Sequence, residues 1–385
     1  MSRLRVFPSG PLRGEARVPG DKSISHRALL LGALADGELE ITGFLPCNDT
    51  HATLGCVRRL GIGVEVRDPT SLVVHGRGLH GLSPADGPLD CVRAGTAIRL
   101  LTGILAGGHV LFEDYPGLAK TLIARSFSQV LGIEFKRIQF TPDLLPGDIT
   151  GSHIFDRDKG EFVLSKGPIF AHLILADEIN RATPKTQSAL LEAMQEFQVT
   201  IEGETIPLPA PFIVIATQNP IEYEGTFPLP EAQLDRFIMR LKVGYPSHAD
   251  EVEILERRRG RKADEIVLSS VTNAEELLAM RAAVEEVFVD PDVESYIVSI
   301  VERTRTDTNV YVGASPRGSL ALLKLTRAWA ALHGRDYVLP DDVKTLAVPA
   351  LVHRLILSPE LWSKRIGPQD VVENILRLVP VPKVD

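Results

Sequence analysis

Five short strand-like runs, spaced by helical patterns, constrain this chain more than any other feature. They cover residues 109–113, 136–140, 172–176, 212–216 and 239–243, and the third and fourth are continuously apolar. Apolar strands that alternate with helices predict a parallel sheet buried on both faces. From residue 249 onward the pattern turns helical, with amphipathic periods over 274–287, 291–305, 317–332 and 341–355. The expected layout is an α/β core followed by a helical bundle.

The 385 residues allow two or three domains, and 44% hydrophobic with 24% charged residues supplies an ordinary globular core. A net charge of −8 argues against a general nucleic-acid binder. The densest basic run, Arg257-Arg258-Arg259-Gly260-Arg261-Lys262, is expected to form a solvated turn. No apolar stretch reaches the ~18 residues that cross a bilayer, and the first residues lack the apolar run of a signal peptide. No membrane span and a cytoplasmic location are the expectation. Cys47, Cys56 and Cys91 all fall in the first quarter without metal-site spacing, and read as small buried apolar residues.

That first quarter differs from the rest. Leu39-Glu40-Ile41-Thr42 alternates as a strand does, a short helix is expected over 27–34, and another over 50–60 ends at Gly61. These make a small α/β unit that reaches to about residue 106. No linker separates it from the strand at 109–113.

Five chemical features then occur in order. Glu113-Asp114-Tyr115-Pro116-Gly117-Leu118-Ala119-Lys120-Thr121 lies between a strand and a helix. As a phosphate loop it would wrap backbone N–H groups around phosphates, with Lys120 on the β- and γ-phosphates and Thr121 on Mg²⁺. It departs from the usual G-x-x-x-x-G-K-[ST] pattern, since Asp114 and Ala119 replace the two glycines. Next, an apolar strand ends in Asp177-Glu178, suited to Mg²⁺ binding and to a general base respectively. Third, Asn219 ends another buried strand, where it could orient a water or simply open a turn before Pro220. Fourth, Arg236 precedes the fifth strand, and fifth, Arg317 opens a helix. Each arginine alone also reads as a surface residue. A permanent charge on a planar fork of donors nevertheless suits both to phosphate contact.

With these residues in this order, the chain from about 107 to 385 resembles the MoxR group of AAA+ ATPases. The likeness also runs through residues 140–151, Asn180-Arg181-Ala182, Ala216-Thr217-Gln218-Asn219-Pro220 and residues 229–237. It implies an α/β P-loop core over 107–246 with a parallel sheet, and a helical lid over 247–385. It implies ATP and Mg²⁺ as ligands, with residues Pro116 to Thr121 as the phosphate loop. Asp177 and Glu178 would be Walker B, Asn219 sensor 1, Arg236 an arginine finger and Arg317 sensor 2. Hexameric rings and chaperone-like work on client proteins, including von Willebrand A-domain proteins, are also implied.

Residues 1–106 resemble the start of a different family, EPSP synthase (3-phosphoshikimate 1-carboxyvinyltransferase). The carriers are Val18-Pro19-Gly20-Asp21-Lys22-Ser23-Ile24-Ser25-His26-Arg27, Asn48-Asp49-Thr50 and Ala94-Gly95-Thr96-Ala97-Ile98-Arg99. By that likeness Lys22 would contact phosphoenolpyruvate, Ser23 and Arg27 the shikimate phosphate, and Gly95 the loop around the enolpyruvyl donor. Val92-Arg93 stand where that family has Gly-Asn. The fold expected over these residues is a partial α/β segment, and the arrangement reads as a fusion of two incomplete proteins.

Overall fold

A computed structural model describes residues 25, 28–29, 32–33, 35–45, 48–59, 61–78, 95–158, 160–220, 225–246, 248–263, 268–360 and 366–382. The chain forms two compact units, residues 1–95 and 96–385. Lys22, Ser23 and Arg27 lie outside the described residues, as does much of the helix expected over 27–34.

In the first unit, β1 (Asp36–Thr42), helix α1 (Asn48–Arg59), β2 (Gly63–Asp68) and β3 (Ser71–Arg77) follow in order. The three strands make an antiparallel sheet with β3 central. Leu29, Leu54, Val57, Ile62, Leu72 and Val74 form its core. The strand expected over 39–42 is real but begins three residues earlier, at Asp36.

The second unit opens within α2 (Gly95–Leu105), followed by β4 (His109–Glu113), α3 (Lys120–Leu131) and β5 (Phe135–Gln139). Then come α4 (Pro146–Thr150), the hairpin β6 (Gly151–Asp156) and β7 (Glu161–Lys166), and β8 (Leu173–Asp177). Helix α5 (Pro184–Glu196) precedes a second hairpin, β9 (Gln198–Ile201) and β10 (Glu204–Pro207). The core closes with β11 (Ile213–Gln218), the short α6 (Glu231–Leu234) and β12 (Phe237–Leu241).

The sheet runs β12-β4-β11-β8-β5 and every pairing is parallel, as expected from the sequence. All five residues of β8 are buried, which explains its unbroken apolar reading. Parallel strands place all their C-terminal ends on one edge, where loops to the helices collect. Glu113 at the end of β4 pairs with Arg240 on β12 at 2.8 Å.

Helices α7 (His248–Arg261), α8 (Ala274–Glu285) and α9 (Pro291–Thr306) begin the helical part. Strand β13 (Val310–Val312), α10 (Pro316–Leu332), α11 (Pro340–Leu351), β14 (Ile356–Leu357) and α12 (Pro368–Leu378) complete it. Proline occupies the first turn of α9 to α12, where its missing N–H costs no hydrogen bond. Asn273, Asp290 and Ser315 cap α8, α9 and α10 through their side chains.

One expectation is corrected here. The basic run at 257–262 is not a turn, because α7 extends to Arg261 and Lys262 ends it at φ 57°. Cations in a last helical turn meet the negative end of the helix dipole, so basic residues there extend the helix.

His109 sits fully inside the second unit. Its Nε2–H donates to the Met194 carbonyl at 2.9 Å, and its Nδ1 accepts from the Val214 amide at 3.0 Å. Both nitrogens are satisfied only in the neutral ring. Burial is the main cause that lowers its pKa to about 4, and Arg281 adds to it against the bond to Met194. An unfolded chain takes up this proton near pH 6.5, so its stability contribution is complete above that pH and is lost as pH falls toward 4. The expected loss is about 3 kcal/mol. His353, equally buried, has its pKa lowered well below the usual value, chiefly by burial, and adds in the same direction. Urea unfolding between pH 7 and 4.5 measures this, and a midpoint that does not move would contradict it.

Candidate functional site

The loop between β4 and α3 is built from its two departures. Asp114 is buried, and its carboxylate gathers three backbone amides. Oδ1 accepts from Tyr115 at 2.8 Å, and Oδ2 accepts from Val243 at 2.7 Å and Gly244 at 2.6 Å. A glycine at this place would leave those donors without that partner. Asp114 thus ties the start of the loop to the turn that follows β12. Ala119 adopts the left-handed conformation at φ 55°, ψ 22°, immediately before α3. That conformation favours glycine and costs alanine about 1 kcal/mol. The turn is made here at the expense of strain.

Lys120 begins α3 and folds its ammonium back over the loop. Nζ donates to the Asp114 carbonyl at 2.6 Å and the Tyr115 carbonyl at 3.0 Å. Burial lowers its pKa, while the charges of Asp114, Asp177 and Glu178 pull it back up. This is a cation held ready at a helix N-terminus, where oriented N–H groups favour an anion.

Asp177 and Glu178 stand at the end of β8. Thr217 of β11 donates its hydroxyl to Asp177 Oδ1 at 2.7 Å and accepts from the Glu178 amide at 2.8 Å. Arg137 of β5 holds Asp177 Oδ2 from Nε at 3.0 Å and Nη2 at 2.6 Å. Gln139 donates to Glu178 Oε2 at 2.8 Å, and Arg181 pairs with the same oxygen at 3.2 Å. Arg137 also donates to Gln139, which joins the two pairs. Glu178 itself lies at φ 58°, a strained backbone of the kind that clusters at functional sites.

The phosphate loop and the ends of β8 and β11 line one cleft of about 380 Å³. Residues Pro116 to Thr121 form one wall, with Asp177, Glu178, Thr217 and Asn219 opposite. Asn219 is buried, and its carbonyl accepts from Asn180 at 3.5 Å. Arg236 and Arg317 do not line the cleft; Arg236 is half-buried before β12 and Arg317 exposed at the start of α10. Gly95, from the other candidate set, is the first residue of α2. Sequence reasoning passed over Thr217, Arg137 and Gln139. Arg137 and Gln139 are two apart on β5 and so share a face.

The donor set suits a phosphate ester with a hard divalent cation. A hydroxyl on Thr121 and a carboxylate on Asp177 are oxygen ligands of the kind Mg²⁺ takes, in a site it completes with water and phosphate. Among the described residues no cluster of three or more His, Cys, Asp or Glu could hold a metal by itself.

Known proteins match the same segments. The model of the ATPase family associated with various cellular activities (AAA) matches residues 109–239, and an AAA lid domain matches 302–375. The chain is 49% identical to the Bacillus subtilis protein YeaC over 286 residues, covering 74% of this chain and 89% of YeaC. It is 44% identical to chaperone MoxR1 of Mycobacterium tuberculosis over 296 residues, with 74% and 78% covered.

The chain belongs to the MoxR group of AAA+ ATPases.

A crystal structure from Cytophaga hutchinsonii, of a protein provisionally termed an ATPase, matches this MoxR fold at TM-score 0.70 and 43% identity. It covers 75% of this chain and 90% of its own. The EPSP synthase (3-phosphoshikimate 1-carboxyvinyltransferase) model matches residues 6–114. Over 104 residues the chain is 55% identical to that enzyme from Alkalilimnicola ehrlichii, but this spans only 23% of the enzyme's length. The MoxR chain therefore carries an EPSP-synthase-like segment ahead of its ATPase core. Among the described residues no helix is long and apolar enough to cross a membrane.

Proposed function

We propose that this chain binds Mg-ATP in the β4–α3 cleft, hydrolyses it, and uses the cycle to remodel or mature client proteins. The observation that supports this best is that Lys120, Asp177, Glu178 and Asn219 face one cleft at the C-terminal edge of a parallel sheet. Residues Pro116 to Thr121 would wrap the phosphates, with Lys120 exchanging its loop carbonyls for β- and γ-oxygens. Thr121 and Asp177 would hold Mg²⁺, which when bound offsets the negative charge of the phosphates. Glu178 would take a proton from the attacking water as Asn219 orients it. Arg236 would reach a neighbouring subunit's nucleotide, and Arg317 would bring the lid to the γ-phosphate.

The domain limits that go with this reading are 1–106 for the EPSP-synthase-like segment, 107–246 for the core and 247–385 for the lid. The assembly is a homo-oligomer, a hexameric ring on family grounds, working in the cytoplasm. Its clients include von Willebrand A-domain proteins. Carboxyvinyl transfer through Lys22, Ser23, Arg27 and Gly95 is the weaker reading, because so little of that enzyme is matched.

Binding tests the site. Titration of Mg-ATP should show saturable binding to the full chain, and Lys120→Ala should weaken it by about tenfold or more, as loss of a charge-assisted contact requires. Equal affinity in both proteins, or no binding by either, would overturn the placement.

A further inference from the structure

Asp235 is next to Arg236 in the chain, just before β12, and its carboxylate reaches the residue that caps α10, two positions before Arg317. Asp235 Oδ2 accepts from the Ser315 hydroxyl at 2.8 Å. The same hydroxyl accepts from the Arg317 amide at 3.1 Å and so caps α10. On its other side, Asp235 Oδ1 accepts from Arg354 Nε at 2.7 Å. The Arg354 side chain is only 3% exposed. It is anchored further by the carbonyls of Phe237 at 2.8 Å, Asp235 at 3.2 Å and Ile238 at 3.3 Å, and by that of Ala350.

Packing reinforces the same junction. A Cβ on Gly318 would stand 3.2 Å from Leu351 and from Ala314, and 3.6 Å from Arg354 Cδ. The first turn of α10 therefore rests directly on the arginine that grips Asp235. Ser315 and Asp235 are 80 residues apart in sequence, so no local turn brings them together. A buried guanidinium with a fixed fork of donors has little freedom to re-pair. Asp235 cannot shift without moving Arg354 or the cap of α10.

We infer that Asp235 is a positioning residue that sets Arg317 through the Ser315 hydroxyl. The assignment rests on the ATPase reading for its catalytic meaning. Its structural content stands apart from that reading. The device is a hydrogen-bonded hydroxyl between two elements, and it needs no change in protonation.

Two readouts test it on the full chain. Hydrogen exchange at the Arg317 and Gly318 amides should speed up about tenfold or more in Ser315→Ala and in Asp235→Asn, and stay within about twofold in Ser315→Thr, which keeps the hydroxyl. Ser315→Ala leaves the Asp235–Arg354 pair intact, so it remains informative if Asp235→Asn does not fold. In turnover, Ser315→Ala should lower kcat about tenfold with little change in KM, and add nothing further in an Arg317→Ala background. Unchanged exchange in Ser315→Ala, or losses that multiply in the double variant, would overturn the assignment. If the wild type releases no phosphate, the ATPase reading fails, while the exchange result still decides whether Asp235 positions Arg317.

Discussion

Glu178→Gln should lower steady-state ATP turnover by about 100-fold or more while leaving nucleotide binding in place. The amide keeps the shape of the side chain and can still meet Arg181 and Gln139, but it cannot accept a proton from water. In the structure Glu178 Oε2 is held by Gln139 at 2.8 Å and Arg181 at 3.2 Å. Both partners meet the same carboxylate oxygen. They also hold it in place, so its release is expected to accompany nucleotide binding. Phosphate release and equilibrium binding, measured side by side, separate the two effects. Turnover that survives the substitution would remove Glu178 from its role.

Leu100→Ala and Ile104→Ala should each cost about 2–5 kcal/mol, which together rivals the whole stability of a domain. Both side chains are completely buried. They share a core with Val110 and Phe112 of β4 and with Leu277 and Val284 of α8. Gly103 lets α2 approach β4, since a Cβ there would meet Val110 at 2.8 Å. Arg281 of α8 donates to the Ile104 carbonyl at 2.9 Å, and burial lowers its pKa to about 10. Yet α2 lies within residues 6–114, the stretch matched to EPSP synthase. The helix that the EPSP-like segment contributes is thus part of the ATPase core. The second compact unit begins at Thr96 and so includes all of α2 but its first residue. Urea unfolding of the two variants checks this, and losses below about 1 kcal/mol in both would show α2 to be dispensable.

The parallel sheet was legible because its strands are apolar and end in chemical residues. Residues 172–176 and 212–216 differ from the observed β8 and β11 only by shifts of one or two positions at their ends. The hairpins were not read. The β9–β10 turn is Glu202-Gly203, with φ 49° and 92°, a two-residue turn of positive φ that an unremarked Glu-Gly pair encodes. In the sequence Asp114 reads only as a departure from the usual pattern, because its partners Val243 and Gly244 lie 129 and 130 residues away. Long-range satisfaction of backbone amides leaves no periodic mark in a sequence. Arg137 shows the same limit, since its meaning comes from Asp177 forty residues on. Asp235 went unread for that reason too, hidden between Leu234 and the more conspicuous Arg236.

With its EPSP-like segment in place, this chain is expected to work as an ATPase. Phosphate release from Mg-ATP by the full 385-residue chain, with folding checked by circular dichroism, decides this. Mg²⁺-dependent turnover that EDTA abolishes is the expected result. A folded chain that releases no phosphate would contradict it.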